Sequence, residues 1–578
     1  MFILNQYIEL WCVYGKGRQE GEQLEVTVQM IAETLFCTER NSKLIIKKLE
    51  ELNWIAWFPG RGRGNRSKLI FQKQPMTLIL DRGKELTKKG DVKSGISFVE
   101  RYSSQFPLVK KEYEAWVDSI FGHKIERTPE GRKDVLRLQV QMNLDIALDP
   151  VYATMRSECH MVKHIFDTLV YVNEETNSIE PRLAFHWQYN DAEKVWTFYL
   201  RKGVHLHNRK RLTAHDVIHS LNRFMKAENN PHAWMLQHVE NVRAVDEFVV
   251  EIQLHTENRM FLHMLSAEQC SIVNEDEARN FIGTGPFILR EKNAQLFVLE
   301  VHDLYYRERP FLDRIELMNV EQNVNTYDVL VKAEYKDKEK PNKELSRLES
   351  NVTYVTCNLV KEGPMQDELF RKALHKIIHG DRIVQELGGE RGEVAKKLIL
   401  ANERKVEIKE EIECLVKRSM YHHEVLQLYT FTGQDHVEDA QWIQKECAKY
   451  GIRVETNFLE VEELLEISTI QKADMMHDSA TISERIEDSL LYMFLTKNSF
   501  IHGQSSMDFH KKFSPYFKEE DLENRVTLLR DIEDTLLRHI HIIPLYRKKQ
   551  QVTSHEKVQN IMINSQGWID FYEIWFTC

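Results

Sequence analysis

One short segment, Val26 to Phe71, limits what this chain can be, because its hydrophobic period switches from helical to alternating within it. Val28, Ile31, Ala32 and Leu35 recur at helical spacing, and Thr27 stands where an N-cap would accept the first free N–H groups. After Phe36 and Cys37, Thr38 opens a second helix whose apolar stripe is Ile45, Leu49 and Leu52. Two short helices with so tight a joint predict a helix-turn-helix. Trp54 to Phe58 and Lys68 to Phe71 then have strand composition, and Pro59-Gly60-Arg61-Gly62-Arg63-Gly64-Asn65-Arg66 joins them as the tip of a hairpin. A hairpin directly behind a helix-turn-helix is a wing.

Charge follows the same segment. From Glu39 to Lys68 there are eight basic residues against three acidic ones. In a winged helix the second helix enters the major groove and the hairpin meets backbone or minor groove. The candidate contacts to double-stranded DNA are therefore Thr38, Glu39, Arg40, Asn41, Lys43 and Lys47 on the helix, with Arg61, Arg63, Arg66 and Lys68 on the hairpin. The competing reading is a solvated basic hairpin on an ordinary domain. The Gly-Arg alternation also resembles a phosphate loop, but it lacks the Lys-Ser/Thr pair and leads into a strand.

The wider composition sets this head apart from the rest. Residues 1–115 hold 19 Lys and Arg against 14 Asp and Glu, a local +5, whereas the whole 578-residue chain carries −11. Bulk charge therefore does not hold nucleic acid, and only an aimed patch would. With 42% hydrophobic residues, 23 Gly and 13 Pro, the chain is globular, neither collagen-like nor disordered. The eight cysteines are scattered with no CxxC pair, as reduced thiols are. The first residues lack a basic n-region, and no run of 18 apolar residues occurs, so no membrane insertion and a cytoplasmic location are expected.

Residues 72–135 continue with helical patterns at Gly95–Tyr102 and Lys111–Phe121, then a polar stretch from Glu126 to Asp134 that reads as a domain boundary. From Val135 strands and helices interleave, which argues α/β. Here Pro181 to Trp187, Val195 to His207, Leu212 to Val217, Gly283-Thr284-Gly285-Pro286-Phe287 and Tyr305 to Asp313 follow in order, and Ile543-Pro544-Leu545-Tyr546 closes the series. These strings resemble family 5 of the bacterial solute-binding proteins, the binding proteins of peptide and nickel importers. The resemblance implies a two-lobed, periplasmic-binding-protein-like α/β domain. With the head it gives residues 1–115 as winged helix, 116–135 as connector, 136–345 as first lobe, 346–494 as second lobe and 495–578 as the return to the first lobe.

A winged helix ahead of such a body is similar to the SgrR-type transcriptional regulators. That likeness implies a cytoplasmic bacterial regulator that binds DNA and a small solute, a peptide, sugar or sugar phosphate. The alternative is a solute-binding component of an importer, with the head as a docking module. Solute contacts are expected from loops facing the cleft: Arg156, Ser157 and Glu158 after Leu148-Asp149-Pro150, then Asn358, and His477, Asp478 and Ser479. The segment around Asp478 departs from the acidic pattern of peptide-binding members, which puts peptide specificity in doubt. Trp196, Phe198, Thr213 and the Gly283–Phe287 string read as scaffold. His160 and His164 have chelating spacing and His205 and His207 share a strand face, but neither pair has further ligands, so no metal and no cofactor is expected. No GxSxG, Walker or HExxH motif is present, and an enzyme is not expected. Winged helices commonly pair, so a homodimer is an open expectation, without a heptad run to hold it.

Overall fold

A computed structural model describes residues 2–18, 21–60, 66–88, 91–129, 131–140, 144–173, 176–275, 281–319, 343–348, 351–400, 408–481, 486–554, 558–560 and 569–577. The head begins with helix α1 (Phe2–Leu10) and strand β1 (Leu24–Val26), neither marked by the sequence patterns above. Helices α2 (Val28–Thr34) and α3 (Glu39–Glu51) follow, each capped as its sequence predicts: Thr27 Oγ1 accepts from Met30 N at 3.1 Å and Thr38 Oγ1 from Asn41 N at 3.3 Å. Strands β2 (Ile55–Phe58) and β3 (Ser67–Phe71) pair antiparallel, Ile55 opposite Phe71, and β1 adds to the other edge of β3. Ile31, Ile45, Leu49, Ile55 and Leu69 close one core beneath this winged helix.

Three further helices, α4 (Pro75–Lys88), α5 (Val92–Ser103) and α6 (Pro107–Ile120), form a second small core around Val99, Tyr113 and Val117. That core also takes in Met318 and Leu296, which belong to the body. The head therefore rests on the body through apolar contact.

The stretch expected as a connector is not a loose one. Phe121 alone separates α6 from β4 (Gly122–Thr128), which turns into β5 (Gly131–Val140) as an antiparallel hairpin. Glu126 to Asp134 reads as linker because its residues are charged, but they belong to paired strands in which Glu126 stands opposite Lys133. Arg137 and Arg314 each bridge Glu126 and Glu316, at 2.5 to 2.7 Å.

The body is α/β, as expected. After β5 come α7 (Arg156–Ile165), an antiparallel sheet of β6 (Ala184–Asn190), β7 (Val195–Leu200), β8 (Val239–Asp246) and β9 (Val249–Leu254), and α8 (Ala214–Lys226), whose Thr213–Asp216 capping box matches the predicted cap. Strands β10 (Phe287–Lys292), β11 (Leu296–Val301) and β12 (Arg314–Asn319) complete a five-stranded sheet, with β12 parallel to β5 and β4 at its edge. A separate sheet, of seven strands, holds β13 (Lys343–Leu348), β14 (Asn351–Cys357), β15 (Arg391–Val394), β16 (Val425–Phe431), β17 (Arg453–Leu459), β18 (Met475–Thr481) and β19 (Ile542–Ser554), with helix α9 (Gln434–Ala448) packed against it.

Strand β19 lies between β13 and β14 inside this seven-stranded sheet. Residues 542–554, placed from sequence in the return to the first lobe, thus pair within this sheet, while residues from Leu495 to Leu536 pack in one core with Phe198 and Val217, and Val558 and Ile569 to Phe576 pack in another with Leu136. Gly283 and Gly285 act through close approach: a Cβ on either would collide with the Ile165 carbonyl at the end of α7.

The charge ring of the β4–β5 hairpin sets a testable acid response. Against burial, Arg137 and Arg314 hold the Glu126 carboxyl below its ordinary value of 4.5. Its contribution is therefore complete above that pH and lost as pH falls through the lower folded value. Arg137→Met should cost about 2 kcal/mol, discounted for partial exposure, and flatten the acid limb of a urea-denaturation series run against pH.

Candidate nucleic-acid interface and solute-binding region

On α3 the buried stripe is Ser42, Ile45, Ile46 and Leu49, and it turns the opposite face outward. Thr38, Glu39, Arg40, Asn41, Lys43 and Lys47 are all exposed. Arg40, Lys43 and Lys47 fall at i, i+3 and i+7, on one side of the helix. Arg66 and Lys68 are exposed on the hairpin, and Arg66 lies 4.0 Å from Glu25. Arg61 and Arg63 lie outside the described residues. The arrangement offers a cationic helix face beside a hairpin with the same sign.

The expected solute contacts divide by what their atoms already do. Arg156 and Ser157 start α7, half-buried. Glu158 caps that helix, accepting from Thr154 N at 2.9 Å and Met155 N at 3.0 Å, and burial raises its carboxyl. Asn358 is fully buried and committed to backbone: its Nδ2 donates to Ala473 O at 2.7 Å and its Oδ1 accepts from Val360 N and Lys361 N at 3.0 Å. It clamps a loop and has no amide group directed at a ligand. His477 is also fully buried, with Thr430 Oγ1 at 3.1 Å from Nδ1 and Asp439 Oδ2 at 3.3 Å from Nε2.

Asp478 and Ser479 are half-buried. Tyr354 donates to Asp478 Oδ2 at 3.0 Å and the Ser479 hydroxyl meets Thr353 Oγ1 at 2.8 Å, partners that no sequence pattern marks. Burial pushes the Asp478 carboxyl up, while Tyr354, the Ser479 N–H, His477 and the Arg156 guanidinium oppose it. Arg156 at the start of α7 thus acts electrostatically on Asp478 in β18. Behind them a buried network fixes β18 to α9. Asp439 accepts from Arg391 at 2.8 Å and Tyr546 at 2.6 Å, and against burial His477 and Arg391 hold its carboxyl low.

A cavity of about 200 Å³ lies elsewhere in the first lobe, lined among others by Lys163, Asp167, Arg182, Glu268, Tyr305 and Asp570. None of the expected solute contacts lines it. Tyr305 donates to Asp167 at 3.3 Å, and the Arg182 guanidinium covers the Tyr171 ring at 4.3 Å. Arg182 and Tyr305 belong to strings that carry the family resemblance in the sequence. Only the fold brings them to Asp167. His160 and His164 pack edge to face at 4.6 Å beside Phe571, and burial lowers His164 to about 4. His207 Nε2 donates to the Gly285 carbonyl at 3.1 Å, and burial takes this histidine to about 3. Among the described residues no helix is long and apolar enough to cross a membrane.

Comparison with known proteins agrees with both halves. Residues 178–501 match the family described as bacterial extracellular solute-binding proteins, family 5 Middle, and residues 3–115 match the sugar transport-related sRNA regulator N-term. The uncharacterized protein YhjP of Bacillus subtilis is 36% identical over 100% of both chains. The HTH-type transcriptional regulator SgrR of Yersinia pseudotuberculosis is 25% identical over 99% of this chain and 98% of its own. Among solved structures, the periplasmic binding protein DppA of Helicobacter pylori in complex with the peptide STSA superposes with a TM-score of 0.65 at 18% identity, covering 76% of this chain and 98% of that one. NikA of Staphylococcus aureus in complex with Ni(L-His)2 gives 0.62 at 16%, covering 76% and 99%. At such identities these last two establish the fold alone.

The Asp439 network carries its own prediction. Asp439→Asn leaves Arg391 buried with only Glu438 to balance it, at 3.1 Å. It should cost about 3 kcal/mol in a urea titration, with the winged helix still folded by hydrogen exchange.

Proposed function

The chain belongs to family 5 of the bacterial solute-binding proteins and carries ahead of it the N-terminal domain of the SgrR-type regulators; from that premise we propose that it is a cytoplasmic transcriptional regulator that binds double-stranded DNA through its winged helix and senses a small solute, a peptide, sugar or sugar phosphate, in its two-lobed body. The observation that carries the reading is the outward face of α3, where Arg40, Lys43 and Lys47 share one side of a helix whose other side is fully used by the core. Lysine and arginine on such a face neutralise phosphates and release counterions, which supplies most of the affinity. Asn41 in the first turn has the donor and acceptor needed to read an adenine edge. The Yersinia relative that spans the whole chain is named as a regulator, and the reaction chemistry of an enzyme is no part of the proposal.

The coupling is linkage between two binding events. The head rides on the first lobe through α6, β4 and the Met318 contact, so solute-driven closure moves the second lobe relative to a fixed DNA-reading unit. If closed and open bodies present different surfaces to DNA, solute shifts DNA affinity by that same coupling free energy, typically about 1–3 kcal/mol. Arg156 at the start of α7 and Asp478 and Ser479 on β18 are the groups assigned to the solute.

Full-length protein should bind duplex DNA from upstream of its own or neighbouring genes with affinity that falls steeply with salt. Arg40→Ala, Lys43→Ala and Lys47→Ala together should weaken binding at least tenfold and reduce the slope of log affinity against log salt by about 0.9 for each phosphate no longer neutralised. Absence of salt-dependent binding sinks the regulator reading. Sensing is checked by thermal-shift screening of sugars, sugar phosphates and short peptides, where a true ligand at a hundredfold excess over its Kd adds about 2.7 kcal/mol of stability.

A further inference from the structure

Two apolar side chains stand exposed on the helix-turn-helix of the head where the fold makes no use of them. Leu44 is 62% exposed on α3. Its helical neighbours at i−4, i−1, i+3 and i+4 are Arg40, Lys43, Lys47 and Lys48, so a ring of exposed cations surrounds it. Among the described residues Lys48 is paired with Glu51, at 3.2 Å, while Arg40, Lys43 and Lys47 enter no ion pair. A single exposed leucine is ordinary on a protein surface. One enclosed by cations faces a partner that is both polyanionic and locally apolar.

Phe36 is the second. It is 95% exposed, at the turn between α2 and α3, two residues before the Thr38 cap. Its backbone has φ +51°, and the hydrogen bonds around it, Phe36 N to Glu33 O at 3.3 Å and Cys37 N to Ala32 O at 2.9 Å, are those of a helix end that glycine normally completes. A bulky residue there is strained, and its ring gains no burial in return. The chain keeps a costly side chain at a position that the fold would fill with glycine.

We propose that Phe36 and Leu44 are specificity-determining residues that contact the 5-methyl groups of thymines in the major groove, framed by phosphate contacts from Arg40, Lys43 and Lys47. This rests on the DNA-binding reading above. The thymine methyl is the one apolar group that the major groove displays, and aliphatic and aromatic side chains are its known kind of partner. The surrounding cations then set register on the backbone while the apolar pair adds sequence preference.

The test uses the full chain and a duplex selected from a random pool. Replacing single dT by dU in that duplex removes only the methyl and leaves base pairing intact. Wild-type affinity should fall about fourfold at one or more positions, the factor for one buried methyl-sized group. Leu44→Ala or Phe36→Gly should abolish that sensitivity at its own position with the salt slope unchanged. Phe36→Gly should also melt no lower than wild type, since glycine relieves the left-handed backbone, which separates reading from folding. Undiminished dU sensitivity in both variants, or none in the wild type, overturns the inference while the DNA-binding reading stands. If the variants instead convert a dimer to a monomer in sedimentation, the pair belongs to an interface between copies and the inference falls. Failure of the wild type to bind any duplex in a salt-dependent way removes both readings together.

Discussion

The four-member charge ring of Arg137, Arg314, Glu126 and Glu316 is the interaction on which the relation of the two halves depends. It ties β4, the first strand after the head, to β5 and β12, the centre of the first-lobe sheet. Because the residues are partly buried, each guanidinium would be expensive to leave without both carboxylates. The hairpin therefore cannot peel from the sheet edge one residue at a time. With α6 running into β4 through Phe121, the helices of the head gain a fixed bearing on the body, and Met318 reaching into their core reinforces it.

The winged helix was legible because every signal for it is local. Thr27 and Thr38 cap helices that begin next to them, and Ile55 pairs with Phe71 across a short tip. The body was legible through ordered strings resembling a family, which fix the fold class and say little about particular atoms. What escaped was set by long-range pairing. Glu126 to Asp134 looks like a linker until Glu126 is seen to pair across strands with Lys133, and β19 sits in the seven-stranded sheet because β13 and β14 accept it. Arg182 and Tyr305 could not be linked to Asp167 by spacing.

The residues expected from sequence to contact solute show the limit more sharply. Asn358 and Glu158 are polar residues at the right place in the chain, but backbone N–H and C=O groups claim them. Sequence cannot tell a polar group offered to a ligand from one that satisfies a loop, since both need the same residue types. Asp478 differs in keeping a strained balance: burial drives its carboxyl up while Tyr354 and Arg156 pull against it. Tyr354, on the neighbouring strand opposite Asp478, is recognisable only from strand register.

The last packed segment of the first lobe has a bearing on how the molecule is made. Phe571 and Phe576 enter the same core as Leu136, and Phe576 stacks on His123 in the hairpin at 3.9 Å. A ribosome delivers the head first and these aromatics only after the four-, five- and seven-stranded sheets have emerged. The winged helix, with a core of its own, can fold while its platform is still incomplete. A nascent chain thus has a folded winged helix before it has a finished solute-binding-protein-like body, and premature termination would release the one without the other.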